Sequence, residues 1–372
     1  MSSRLYLDFN ATAPTRSEVI EAMEAAMREG GNASSVHATG RVARARVEDA
    51  RRNVAALVGA DPSQVIFTGS GTEANNQVLR RAGRTRLLVS AIEHESVLLA
   101  RADARRVPVT GDGTVDLAAL DRSLAGLDEP AIVSVMAANN ETGILQPVAD
   151  VARIAHARGA LVHTDAIQAA GKVPVDMAAL GVDFLSLSAH KIGGPQGVGA
   201  LVCRDRSLVG RLIHGGGQEG GLRAGTENVA GIAGFGVAAA SAAKGLSAFG
   251  ALARLRDDLE ARFAAVAPEV TVFGKALDRL PNTSKVATPG LSSEVQVMGL
   301  DLAGIAISAG SACAAGRVEP PYVLAAMGVE DALAVCAVRI SLGWTTAPTD
   351  IDRLVEAWTA LHRRRRGRSA AE

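Results

Sequence analysis

Between residue 64 and about residue 200, short apolar runs alternate with stretches of helical spacing, and this alternation limits the fold more than any other feature. Gln64 to Thr68, Arg86 to Ser90, Ala131 to Ala137, Leu161 to Asp165 and Phe184 to Ser188 read as strands, and Val148 to Arg158 reads as a helix. Strands separated by helices run parallel in one sheet with the helices packed on its faces, so the expected class is α/β with a mostly parallel sheet flanked by helices. In open sheets of this kind ligands gather beyond the carboxyl ends of the strands. Those positions hold Thr72, His94, Asn140, Asp165 and Lys191.

Two of these residues carry most of the chemical information. Lys191 closes the apolar run Phe184-Leu185-Ser186-Leu187-Ser188 through Ala189-His190 and is followed at once by Ile192-Gly193-Gly194-Pro195. A desolvated amine has a lowered pKa, because burial penalises the charged form, and such a lysine forms Schiff bases with aldehyde cofactors. Asp165 ends the preceding strand, where a carboxylate fits the pyridinium nitrogen of pyridoxal phosphate (PLP). Taken singly, each has a plainer reading: a surface lysine after a strand, and an N-cap for the next helix. Upstream, Gly69-Ser70-Gly71-Thr72-Glu73 joins a strand to a helix, a geometry that presents backbone N–H groups to a phosphate, although it also suits an ordinary capped helix start.

With His163-Thr164-Asp165-Ala166-Ile167-Gln168 and Ser188-Ala189-His190-Lys191 in one chain, the sequence resembles the cysteine desulfurases of the NifS/IscS type, PLP enzymes of the class V aminotransferase group and of PLP fold type I. The resemblance runs from Leu7-Asp8-Phe9-Asn10-Ala11-Thr12-Ala13-Pro14 to Val338-Arg339-Ile340-Ser341-Leu342-Gly343. It implies that Lys191 carries PLP, Asp165 protonates the ring nitrogen, Gln168 hydrogen-bonds the phenolic oxygen and His94 stacks on the ring and shuttles protons. It further implies phosphate ligands Gly71, Thr72, Ser188, His190 and, from a neighbouring subunit, Thr226. Arg339 and Asn140 would orient the substrate carboxylate, and Asn32 would lie at the substrate mouth, in a loop where Ala33 stands in place of the family's proline. Cys313, in Ala309-Gly310-Ser311-Ala312-Cys313-Ala314-Ala315, matches the family's nucleophile, with two alanines where the family often has Thr-Ser. The implied reaction converts L-cysteine to L-alanine and leaves a persulfide for acceptors, such as an iron–sulfur scaffold protein. No catalytic metal is implied, beyond transient ligation of an iron–sulfur cluster by Cys313 with a scaffold. A homodimer with composite sites follows from Thr226.

The bulk numbers agree with this reading. Lysine plus arginine and aspartate plus glutamate each number 39, so the net charge of zero argues against a dedicated nucleic-acid binder. The 3 cysteines, Cys203, Cys313 and Cys336, show no paired spacing, which suits a reducing compartment and excludes a disulfide framework. The first twenty residues are too charged for a signal-peptide core, and Val229 to Ala243 reads as a buried helix, shorter than a membrane span. A cytoplasmic protein with no membrane association is expected. The 372 residues suit two domains, a large one over 15–250 and a smaller α+β one from 1–14 and 251–372. Gly215 to Asn228 is either a linker or an ordered glycine-rich loop, and Arg363-Arg364-Arg365-Arg366 a solvated helix end. Two other readings stand beside the main one: a selenocysteine lyase or other class V enzyme on the same fold, and a non-catalytic dinucleotide-binding protein. The latter lacks Gly-x-Gly-x-x-Gly after the first strand and gives Lys191 no task.

Overall fold

The computed structural model describes residues 4–310 and 321–369. Its strands, in chain order, are β1 (Leu5–Tyr6), β2 (Val65–Thr68), β3 (Arg86–Ser90), β4 (Arg105–Val107), β5 (Ala131–Ser134), β6 (Leu161–Asp165), β7 (Phe184–Ser188), β8 (Gly199–Cys203), β9 (Thr271–Val272), β10 (Thr283–Ala287), β11 (Ile305–Ala306) and β12 (Ala337–Ser341). A seven-stranded sheet in the order β2-β8-β7-β6-β5-β3-β4 dominates the described residues. From β7 to β4 every pairing is parallel, whereas β8 runs antiparallel to both β7 and β2. The expected α/β class is therefore present.

Both faces of this sheet are covered, and the side chains divide with the two-residue period of a strand. Val65 and Phe67 of β2, Leu88 of β3 and Leu185 and Leu187 of β7 enter one core with the helices Ala38–Leu57 and Val229–Lys244. Ile66, Leu87, Val89 and Phe184 enter the opposite core with the helix Gly71–Arg81. The apolar run at Val229 is thus a buried helix, as expected, and no single helix among the described residues is long and apolar enough to cross a membrane. Gly245 follows this helix, and the next helical stretch leaves at 66°. That stretch is two helices, Leu246–Gly250 and Leu252–Val266.

A separate core gathers Leu5, Leu7, Phe263, Leu300, Ile340 and Trp358. It packs around the antiparallel sheet β12-β10-β9 and the parallel pair β1-β11, in which Leu5 faces Ile305. The chain's beginning and its last third therefore share one core, which β1 enters as a strand of two residues. Asp8 makes an isolated bridge to Ser341, and its side chain is taken by Arg339.

The glycine-rich stretch from Gly215 is ordered rather than a bare linker. Glu219 sits there at φ 51°, a left-handed conformation costly for a side-chain-bearing residue. Its carboxylate takes Arg51 Nη1 at 2.7 Å and Nη2 at 2.9 Å, and the Phe67 N–H at 3.0 Å. Glu219→Ala removes the buried partner of Arg51 and leaves it the more exposed Glu48 at 3.2 Å and the Val65 carbonyl at 2.8 Å, so a loss of about 3 kcal/mol, the low end for a broken buried pair, is expected. Urea unfolding of the two proteins measures it, and a loss below about 1 kcal/mol means that water replaces the partner.

Candidate active site

A cavity of about 690 Å³ opens at the carboxyl ends of the parallel strands. Gly71, Thr72, His94, Asn140 and Asp165 line it from β2, β3, β5 and β6, and Gln168, Ser188, His190 and Lys191 line it from β6 and β7. Arg339 of β12 closes it from the second core. Strand order, not proximity in sequence, brings these groups together.

Asp165 is 5% exposed. Its Oδ2 accepts from Asn75 Nδ2 at 2.8 Å, and its Oδ1 from the Ile167 N–H at 3.0 Å. Burial pushes the carboxyl above its ordinary value, against those hydrogen bonds and the charges of His94 and Lys191. Lys191 ends the short 3₁₀ turn Ala189–Lys191, and its Nζ donates to the carbonyls of Asn10 at 2.6 Å and Ala11 at 2.8 Å. Burial, and then the nearby Arg339 charge, lower its amine to about 8, while Asp165 and Asp8 oppose the shift. His190 is lowered to about 4, first by burial and then by Lys191 and Lys172, and its Nδ1 meets Thr12 Oγ1 at 3.1 Å. It is therefore a neutral ring at pH 7.

His94 caps the short helix Glu95–Leu98. Its Nδ1 accepts the Ser96 N–H at 3.1 Å, which leaves the proton of the neutral ring on Nε2. Gly71 opens its helix in a tight place, where a Cβ would lie 2.2 Å from Ile167 Cδ1 and 3.3 Å from Ser188 Cβ, so Ile167 would have to shift to admit one. The start of that helix, Gly71 and Thr72, lines the cavity, and the free N–H groups of a helix start are an arrangement that holds an anion.

A buried arginine needs an anionic partner, and the protein supplies one: Arg339 Nη2 donates to Asp8 Oδ1 at 2.6 Å, and Nη1 to the Asn140 carbonyl at 3.0 Å. Its burial therefore does not by itself call for a substrate carboxylate. Two buried polar atoms here do lack partners, Arg339 Nε and Asn140 Oδ1. Thr226 is exposed and does not line the cavity, and Asn32 is exposed with its Oδ1 held by the Ser34 N–H at 2.8 Å. Cys313 lies outside the described residues.

The sequence reading assigned nothing to Asn10, Asn75 or Lys172. Asn10 accepts Lys191 at its carbonyl, and its side chain joins Lys172, Thr283 and Asn282. Asn75 follows Thr72 by three residues, one helical turn on, and that spacing is the only signal that could have placed it near Asp165.

The family profile described as Aminotransferase class-V matches residues 5–354. A cysteine desulfurase of Cereibacter sphaeroides is 46% identical over 369 residues, covering 95% of this chain and 94% of the relative. The chain belongs to the class V aminotransferase family. Among solved structures, a NifS-like protein from Rickettsia africae superposes with a TM-score of 0.89 at 34% identity, covering 96% of this chain and 99% of that one. A structure described as SspA in complex with cysteine gives 0.77 at 30% identity, over 91% and 98% of the two chains. Family members use PLP, and the residues here fit it. The helix start at Gly71 suits the phosphate, the buried Asp165 suits a ring cation that relieves its raised pKa, and Lys191 is an amine lowered towards the nucleophilic free base.

Proposed function

We propose that this protein is a cysteine desulfurase that takes sulfur from L-cysteine and releases L-alanine. The observation that carries the reading is the joint placement of Lys191 and Asp165 in one cavity, in a chain 46% identical to a cysteine desulfurase. Bound PLP supplies an aldehyde for the amino group and a ring that withdraws electrons from Cα.

The chain's own residues supply the rest. Asp165, ionised against the ring nitrogen, keeps that nitrogen protonated. Lys191, whose amine is lowered to about 8, has an appreciable free-base fraction near neutral pH and takes the Cα proton. His94, which lines the cavity with its proton on Nε2, would stack on the ring and pass protons. Gly71, Thr72, Ser188 and the neutral His190 would hold the phosphate, and Gln168 would donate to the phenolic oxygen. Arg339 and Asn140 orient the substrate's carboxylate, for which the unpartnered Arg339 Nε is a free donor. Cys313 attacks the substrate sulfur as a thiolate: a sulfur–sulfur bond forms, the Cβ–sulfur bond breaks and its electron pair stays on carbon. Protonation of that carbon gives alanine, and Cys313 keeps the extra sulfur until an acceptor thiol takes it. An iron–sulfur scaffold or another thio-cofactor enzyme in the cytoplasm is the acceptor class that fits.

The exposure of Thr226, outside the cavity, supports its use by a neighbouring subunit and hence a homodimer. One preparation tests both parts. The purified protein with PLP should form alanine from L-cysteine in step with sulfide under reductant, and it should sediment as a dimer. Absence of alanine sinks the activity, and a fully active monomer sinks the composite site.

A further inference from the structure

Lys172 is a second lysine in this corner of the molecule, and none of the chemistry above uses it. It is 3% exposed, and its Nζ lies 2.8 Å from Gln168 Oε1 and 2.7 Å from Asn10 Oδ1. We infer that Lys172 is a positioning residue that sets which end of the Gln168 carboxamide faces the cavity. This inference rests on the PLP reading of the site.

The argument is one of donors and acceptors. An amine held between two acceptors donates to both, and two N–H groups suffice, so the assignment holds whether or not Lys172 is charged. Its burial, with Lys191 and Arg339 nearby, lowers it well below the ordinary lysine value. Because Lys172 takes Oε1, the nitrogen of Gln168 points the other way and donates to the Asn10 carbonyl at 3.0 Å. That carbonyl also receives Lys191 Nζ at 2.6 Å. The second N–H of Gln168 then remains for an acceptor oxygen in the cavity that Gln168 lines. Asn10 does not depend on Lys172 in the same way. Its Oδ1 also accepts Asn282 Nδ2 at 3.1 Å, and its Nδ2 donates to Thr283 Oγ1 at 2.8 Å. Among the described residues, only Lys172 donates to Gln168 Oε1 and so distinguishes oxygen from nitrogen in that side chain. A turned amide would set an oxygen against the Asn10 carbonyl and against any cofactor oxygen, two repulsive contacts in place of two hydrogen bonds.

The readout is the pH midpoint of the bound cofactor's visible band, followed without substrate. A cofactor oxygen that loses its donor holds a proton more tightly, so Lys172→Met should move the midpoint upward by about one unit, the size of one lost charge-assisted hydrogen bond. Gln168→Leu should move it by a similar amount, and the double variant no further than Gln168→Leu alone. Lys172→Arg, which keeps donors, should recover part of the shift. An unmoved midpoint in Lys172→Met, or two shifts that simply add, overturns the inference. If Lys172→Met does not fold, Lys172→Leu, which also lacks a donor, carries the same comparison. Failure of both to fold overturns the inference too, since the residue then holds the fold rather than the amide. A missing visible band in the unmutated protein overturns the PLP reading, and this inference with it.

Discussion

Lys191→Ala is expected to lose alanine formation by about a thousandfold or more, since one side chain acts as both cofactor anchor and base. Any PLP it retains should be lost on gel filtration after borohydride treatment, whereas in the unmutated protein reduction should fix the cofactor to the peptide carrying Lys191. Label on another lysine would end the assignment. The same variant has a stability signature in cofactor-stripped protein. The folded-state value of Lys191, about 8, lies below its ordinary 10.5, so the unfolded chain binds more protons between those two pH values. Burying the charged amine costs stability below pH 8, and that cost is relieved as pH rises towards 10.5. Lys191→Ala should therefore be at least as stable as the parent at pH 7, with an advantage that shrinks by pH 10. Urea midpoints at the two pH values check this, and an advantage growing with pH contradicts it.

How far this site was legible in the sequence depends on whether a residue's task is local. Asp165 and Lys191 could be placed because each ends an apolar run, and strand ends in a parallel sheet converge. Gly71 and Thr72 could be placed because a strand, a small-residue turn and a helix follow one another in the chain. Asn10 and Lys172 could not. Their meeting joins residues 162 apart in sequence, and Asn10 meets Asn282 at a separation of 272. No periodicity records a contact between the first strand and the far side of the second core. The partner of Arg339 shows the same limit. A buried guanidinium needs an anion, but nothing in the sequence points to Asp8, 331 residues away. Glu219 was hidden differently, since a glutamate among glycines reads as loop until its ion pair with Arg51 is seen.

Cys313→Ala should separate the two halves of the chemistry, because the groups that hold the cofactor and the group that takes the sulfur lie on different parts of the chain. The variant should keep the visible band and its response to cysteine, while alanine formation falls by roughly a thousandfold or more. Cys313 is outside the described residues, but the chain on either side of that segment bears on it: Ser308, Gly310 and Tyr322 all line the cavity. The other two thiols are poor candidates. Cys203 is fully buried in β8, and burial pushes its thiol up to about 12. Cys336 is buried with Sγ 3.4 Å from the Ala332 carbonyl. A thiolate is the attacking species, and a thiol raised as far as that of Cys203 does not supply one at neutral pH, while Cys336 does not line the cavity. Cys203→Ala and Cys336→Ala should accordingly keep full turnover and lose only packing, about 1–2 kcal/mol in urea. Mass spectrometry of the protein trapped with cysteine decides the matter. The added sulfur should map to the peptide containing Cys313, and its appearance on Cys203 or Cys336, or normal turnover by Cys313→Ala, would remove the nucleophile from the mechanism and leave a PLP site whose reaction has to be sought again.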